Sequence, residues 1–195
     1  DAHGVYLDEN FGASHARLSI RDLTENGTQP MIKTINNNKY IIVYNGEIYN
    51  TDDLKKDLII KGYKFSTTTD TEVILYMFIE YKEKCVDYLN GIFAFSIYDT
   101  QNKTLYLFRD RVGIKPLFYT INNNTLIFGS EPKAIFKYPN IKPEIDIDSL
   151  KQILGIGPAR IAGKGVFKNL YEIKPGHFAI FNSYGFKEIQ YWELK

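Results

Sequence analysis

The feature that most restricts how this chain can fold is its punctuation: short β-branched and aromatic runs, broken repeatedly by Asn, Gly and Asp. Lys39 to Tyr44 (KYIIVY) is β-branched or aromatic almost throughout and fits a strand buried on both faces, ending at Asn45-Gly46, a dipeptide suited to a tight turn with positive φ. Ile92 to Tyr98 and Thr104 to Arg109 flank the turn-rich Asp99 to Lys103 and predict a hairpin. Leu117 to Ile121 and Leu126 to Gly129, joined through three asparagines, predict a second, and His177 to Trp192 a last one. Val5 to Leu7 and Ala13 to Ile20 are further β-type runs on either side of Asp8-Glu9-Asn10. The 15 Tyr, 13 Phe and single Trp reinforce the pattern, because flat rings pack well on a pleated surface.

Two segments read as helices. Thr51 to Lys61 has Asn50 or Thr51 as its cap, Leu54 and Leu58 one turn apart, and Gly62 at its end. Asp70 to Tyr88 carries Val73, Ile74, Met77, Phe78 and Tyr81 at three and four spacing, and either Asp70 or Thr71 suits its N-cap. Shorter helices are predicted at Glu131 to Phe136 and Asp148 to Leu154, followed by a Gly-rich loop over residues 155–165. No repeat or low-complexity linker divides the chain, so the expectation is one α+β domain with much antiparallel sheet.

Several function classes fall away. A net charge of +1 gives no electrostatic reason to expect nucleic acid or an anionic membrane as partner. No apolar run approaches the roughly 20 residues of a membrane span, and the expected location is the cytoplasm. One Cys excludes an internal disulfide framework and a Cys-based zinc site, and three His leave few metal ligands. In the Gly-rich loop, Gly157 and Gly163 are too far apart for a P-loop, and Lys164 is followed by Gly165 rather than Ser or Thr. Cys85 closes an amphipathic helix with no neighbouring His and reads as a small apolar packing residue. His15 and Ser19, four apart on a strand, would be separated by about 13 Å, too far for a catalytic hydrogen bond.

Four blocks gain meaning from their order: His15-Ala16-Arg17-Leu18-Ser19-Ile20, Asn45-Gly46-Glu47-Ile48-Tyr49-Asn50, Thr69-Asp70-Thr71-Glu72-Val73, and Arg109 to Tyr119 (RDRVGIKPLFY). Together with Leu89 to Phe95 and Ser130 to Ala134, they strongly resemble the glutaminase domain of glutamine-hydrolysing asparagine synthetases. These are class II glutamine amidotransferases of the N-terminal-nucleophile hydrolase type. The likeness covers the whole chain. It implies a four-layer αββα sandwich, two antiparallel sheets between helix layers.

The chemistry of glutamine explains the residue types. An α-carboxylate, an α-ammonium and a reactive side-chain amide call for a cation, an anion and an oxyanion hole. Arg17 offers a planar bidentate fork for the carboxylate, and Asp70 an acceptor for the ammonium. The Asn45 side chain and the Gly46 N–H would donate to the tetrahedral oxyanion, where losing one such donor typically costs about 2.7–4 kcal/mol of barrier. The resemblance assigns the same roles to these positions, and adds Glu47 and backbone contacts from Arg17, Leu18, Ser19, Ile20 and Arg21. Taken singly, Asp70 is a helix cap, Arg17 a strand-surface ion pair and Asn45-Gly46 a turn. The Arg109 to Tyr119 block suggests a hairpin and a fold-specific turn, without chemistry.

The family's nucleophile is an N-terminal Cys whose own α-amino group relays the proton; a thioester forms, ammonia leaves, and water releases glutamate. Against that pattern the chain lacks the Cys, the Arg-Gly-Pro segment that usually precedes a sequence like Asp1-Ala2-His3-Gly4, and any Ser-Gly-Gly-x-Asp-Ser motif. The expectation is therefore an N-terminally truncated amidotransferase domain over residues 1–195, without its first strand and without the synthetase domain. Such a piece would be inactive alone and less stable than the complete domain. The domain itself would need no cofactor, and ATP and Mg²⁺ would belong to the synthetase domain of the same polypeptide. A homodimer is a family expectation. The alternatives are a non-catalytic amidotransferase-like scaffold, and a related synthetase with another acceptor.

Overall fold

Nine-residue pairing along one central strand organises the molecule. The computed structural model describes residues 2–17, 25–157 and 161–194. In chain order the elements are β1 (Ala2–Leu7), β2 (Gly12–Arg17), β3 (Met31–Ile35), β4 (Asn38–Ile48), α1 (Thr51–Ile60), α2 (Asp70–Tyr81), β5 (Gly91–Asp99) and β6 (Thr104–Arg109). They continue as β7 (Phe118–Asn122), β8 (Thr125–Gly129), α3 (Pro132–Ile135), α4 (Ile147–Ile156), β9 (Tyr171–Glu172), β10 (His177–Asn182) and β11 (Gly185–Gln190).

Six strands form the main sheet in the order β11-β10-β6-β5-β4-β3, with every pair antiparallel. β4 and β5 pair from Tyr40↔Asp99 to Ile48↔Gly91. The period of two then separates the faces. Phe93, Phe95 and Ile97 join Tyr44, Ile48 and the inner residues of α1 and α2 in one core, where Phe78, Ile74 and Met77 are almost completely buried. Ala94 and Tyr98 face the other way, into a second core with Phe11, Ile41, Leu107 and Tyr119. There the Phe11 and Tyr98 rings stack at 4.5 Å.

The second core is closed by β1-β2 and by the three-stranded sheet β8-β7-β9. α3 covers the outer side of that sheet through Ile135 against Phe118 and Leu170. Helix, sheet, sheet and helix thus follow one another, the expected four layers. The second of the two β layers is built from two separate pieces, because among the described residues β2 and β8 each pair along one edge only.

Several boundaries differ from the sequence reading. Asn45-Gly46 is not a turn: β4 runs through both residues to Ile48, since cross-strand pairing with Ala94 and Phe93 overrides the local preference. Gly46 is needed for close approach, because a Cβ there would run into the Ile92 carbonyl and lie 2.8 Å from Phe93 Cα. The long helix ends at Tyr81 rather than Tyr88. Lys82 takes φ of 52° with its Nζ donating to Tyr40 Oη at 2.9 Å, and Lys82–Asp87 continue as a 3-10 turn. Gly155 and Ile156 belong to α4 rather than to the Gly-rich loop, whose residues 158–160 lie outside the described residues. The strand read as Ala13 to Ile20 is described as far as Arg17.

Candidate functional site

The site residues meet where a strand loses its neighbour. β3 pairs with β4 only from Asn38 to Ile42, so beyond Ile42 the outer edge of β4 is supplied by side chains. Tyr44 N–H donates to Gln29 Oε1 at 2.6 Å, and the Tyr44 carbonyl lies 3.1 Å from His15 Nε2. Two turns of the pleat further on, Ile48 N–H donates to Asp70 Oδ2 at 3.2 Å. Backbone groups alternate in direction along a strand, so Gly46 N–H, midway between Tyr44 and Ile48, points to this same edge. Asn45 and Glu47 project from the face opposite Tyr44, towards the second β layer. Asn45 lines a cleft there.

Asp70 reaches the edge from the first turn of α2. Neither Asp70 nor Thr71 caps the helix: Thr69 Oγ1 accepts the Glu72 N–H at 3.3 Å, and the Asp70 side chain is released to point at the sheet. Asp70 is buried and its Oδ2 also accepts from Tyr44 Oη at 2.7 Å. A carboxylate in this position is favoured by the positive end of the helix dipole. Asn50 likewise has other work: it sits at the N-cap position of α1, while its side chain accepts from Asn90 N–H at 3.0 Å and donates to the Tyr88 carbonyl at 2.9 Å.

Glu72 fastens the loop that leads into α2. Its carboxylate is completely buried and accepts from Ser66 N–H at 2.9 Å, Thr67 N–H and Oγ1, each at 2.7 Å, and the Lys33 ammonium. Burial alone would raise its pKa, but these donors outweigh burial and hold it below the usual carboxylate value. The Lys33 ammonium is held above its usual value: burial opposes this, and the Glu72 carboxylate overcomes it.

Arg17, at the end of β2, is brought to the same helix N-terminus. An ideal Cβ on Gly27 would lie 2.7 Å from Arg17 Cζ and 2.8 Å from Thr69 Cγ2, so the guanidinium and the α2 cap converge on one glycine. The structure therefore assembles Arg17, Gly46 and Asp70 around the β4 edge, with Asn45 beside them. Leu18, Ser19, Ile20 and Arg21 lie outside the described residues. Sequence reasoning missed Gln29, Gly27 and Tyr44. Gln29 spans the site, since its Nε2 also donates to Thr71 Oγ1 at 3.3 Å. A lone Gln between a Thr and a Pro carries no periodicity that could have announced this.

The cleft reached by Asn45 has a volume of about 1090 Å³ and runs between residues 12–15 of β2 and residues 124–130 along β8. Arg17, Gly46, Glu47 and Asp70 do not line it. Its walls hold the buried His15 Nδ1 and Ser96 Oγ, which have no hydrogen-bond partner among the described residues. Burial depresses the His15 pKa below its usual value, the contact with the Tyr44 carbonyl opposes this, and the Arg17 charge adds to the depression.

The remaining candidates are structural. Cys85 is completely buried in the helix-side core, and burial pushes its thiol well above the normal range. No cluster of three or more His, Cys, Asp or Glu that could hold a metal occurs among the described residues. Arg109 and Asp110 are buried and knot the 111–116 loop: the guanidinium pairs with Glu172 at 2.9 Å and donates to the Lys115 carbonyl, while Asp110 accepts from Ile114 and Lys115 N–H, both at 3.0 Å. No described helix is long and apolar enough to cross a membrane.

Over all 195 residues the chain is 44% identical to asparagine synthetase [glutamine-hydrolyzing] 3 of Bacillus subtilis, of which it covers 32%. Over 79% of its length it is 43% identical to asparagine synthetase [glutamine-hydrolyzing] 1 of the same organism, covering 24% of that protein. The chain thus spans a third or less of these two relatives. Among solved structures, the glutamine phosphoribosylpyrophosphate amidotransferase of Bacillus subtilis matches with a TM-score of 0.65 at 21% identity, over 92% of this chain and 34% of that one. That likeness supports the fold alone. Residues 1–192 match the family described as the glutamine amidotransferase domain, and the chain belongs to that family.

Proposed function

We propose that this chain is the glutamine-hydrolysing part of an asparagine synthetase, releasing ammonia from L-glutamine for the ATP-dependent amidation of aspartate. The observation that carries the reading is the open β4 edge, where a guanidinium, a buried carboxylate and a strand N–H converge from β2, α2 and β4. Arg17 takes the α-carboxylate as a forked ion pair and Asp70 the α-ammonium. The amide then lies along β4, with its carbonyl oxygen towards Gly46 N–H and the Asn45 side-chain amide. As the carbonyl becomes tetrahedral, both donors strengthen their bonds to the developing oxyanion. Glu47 and the Arg17–Arg21 backbone complete the substrate contacts.

Cys85 cannot supply the thiolate, being completely buried on the helix side of the sheet. The nucleophile is assigned to an N-terminal Cys of the same polypeptide, on a strand entering the cleft between β2 and β8. That cleft lies between two strands that each have one unpaired edge among the described residues, and it reaches Asn45. ATP and Mg²⁺ act in the synthetase domain of the same polypeptide, in the cytoplasm, and this domain works without a cofactor.

The test is glutamate release by the full-length protein. Asn45→Ala lowers kcat by about 10²–10³-fold with KM for glutamine little changed. Asp70→Asn raises KM for glutamine and leaves ammonia-dependent asparagine synthesis intact. A kcat for Asn45→Ala within twofold of the parent would overturn the oxyanion assignment. Absence of glutamate release from the full-length protein would favour the scaffold reading.

A further inference from the structure

The Gly27 position has no backbone reason to be glycine. Its φ is outside the left-handed region, unlike Gly62 at φ of 96°, and the residue is buried. What forbids a side chain is the company: the Arg17 guanidinium and the Thr69 methyl occupy the space that a Cβ would need. Resting on the reading of Arg17 as the carboxylate ligand, we propose that Gly27 is a positioning residue that seats the Arg17 guanidinium against the N-terminus of α2. It thereby fixes the spacing between the groups that receive the two charged ends of an α-amino acid.

The two neighbours of Gly27 differ in what they can yield. Thr69 is buried and caps α2, and its Oγ1 also contacts Thr67 Oγ1 at 2.8 Å. Thr67 is in turn tied to the buried Glu72 through both its N–H and its hydroxyl. The Thr69 methyl is therefore held by the loop behind it. Arg17 meets Gly27 with the far end of a flexible side chain, and it is only half-buried. A methyl group at position 27 consequently displaces Arg17 and spares Asp70. The loss falls on recognition of the carboxylate and not on the reacting amide.

The experiment uses the full-length protein with Gly27→Ala, Arg17→Ala and the double variant. Glutamate or 4-aminobutanoate release is followed from glutamine and from 4-aminobutanamide, which is glutamine without its α-carboxylate. Gly27→Ala is expected to raise KM for glutamine about 10- to 100-fold with kcat within about twofold, the scale of one charge-assisted contact. It should leave kcat/KM for 4-aminobutanamide unchanged and add less than about twofold to Arg17→Ala, since coupled residues are not additive. Equal losses on both substrates, additivity in the double variant, or an unchanged KM in Gly27→Ala would each overturn the inference. If Arg17→Ala itself leaves KM for glutamine unchanged, the carboxylate reading fails and the inference falls with it. An impaired Arg17→Ala beside a normal Gly27→Ala removes the inference alone.

Discussion

Replacing Glu72 by Gln keeps the shape of the side chain and removes the charge on which the loop before α2 is hung. The carboxylate is completely buried, with the Lys33 ammonium, two backbone N–H groups and the hydroxyls of Ser66 and Thr67 around it. Removing one partner of a buried ion pair typically costs about 3–5 kcal/mol, because the other charge stays behind uncompensated. Lys33 keeps 18% of its side chain in solvent, so the lower end applies, about 3 kcal/mol. For a chain of this size, 1 kcal/mol moves Tm by about 2–4 °C, which predicts a fall of about 6–12 °C by calorimetry at pH 7. The pH dependence has a definite sign. The folded-state pKa of Glu72 is lowered from 4.5, so its contribution is complete above that value and is lost as pH falls through the depressed one. The parent should therefore lose stability below pH 4.5 more steeply than Glu72→Gln does. A Tm shift below about 2 °C at pH 7, or acid limbs that run parallel, would refute this account of the loop.

Three further perturbations probe the same edge and its surroundings. Tyr44→Phe removes the 2.7 Å bond to Asp70 and should cost about 1.5–3 kcal/mol in urea unfolding, the usual worth of a hydrogen bond to a charged group. An unchanged midpoint would mean that Asp70 finds another donor. His15→Gln should flatten the stability profile just below pH 6.5, because the half-buried imidazole resists protonation that the unfolded chain accepts; parallel profiles of parent and variant would contradict that. In the 195-residue chain, Cys85 should react with thiol reagents only as fast as the domain opens, and the polypeptide should release no glutamate from glutamine. Turnover that survives Cys85→Ala would show a nucleophile elsewhere in these residues.

The parts of this molecule legible in its sequence are those decided locally. The β5–β6 and β7–β8 hairpins follow from alternation and from Asn-rich turns, and Asn123 and Asn124 do take the positive φ that such a turn requires. The cap of α2 falls one residue before Asp70 and two before Thr71, the positions its sequence favours, since Thr69, Asp70 and Thr71 are all competent caps and only tertiary contacts decide among them. Asp70 is wanted by Tyr44 and Ile48, so Thr69 caps. Asn45-Gly46 misled for the opposite reason. Its local preference is for a turn, but nine cross-strand pairs with β5 outweigh one dipeptide. Arg17, Asn45, Gly46 and Asp70 were legible through their order along the chain. Gln29, Gly27 and Lys33 were not, because each acts across a long sequence separation on a partner that no local pattern names.

An unpaired strand edge is ordinarily a liability, a row of donors and acceptors open to any passing strand. Here β3 begins only at Met31, opposite Ile42, while β4 continues to Ile48, and the unpaired stretch is closed by side chains instead of by a neighbour. Gln29 and His15 take the Tyr44 backbone groups and Asp70 takes the Ile48 N–H. Each of these side chains arrives from a different part of the chain, so the edge is satisfied at Tyr44 and Ile48 without regular pairing at Gly46 between them. A longer β3 would satisfy the same edge with regular pairing, and would bury the Gly46 N–H in the ladder. On the proposed reading, the short partner strand is what leaves the Gly46 N–H within reach of glutamine. If glutamine binds as proposed, stability and chemistry draw on neighbouring backbone groups of one strand, because the side chains that close the edge at Tyr44 and Ile48 also frame Gly46 between them.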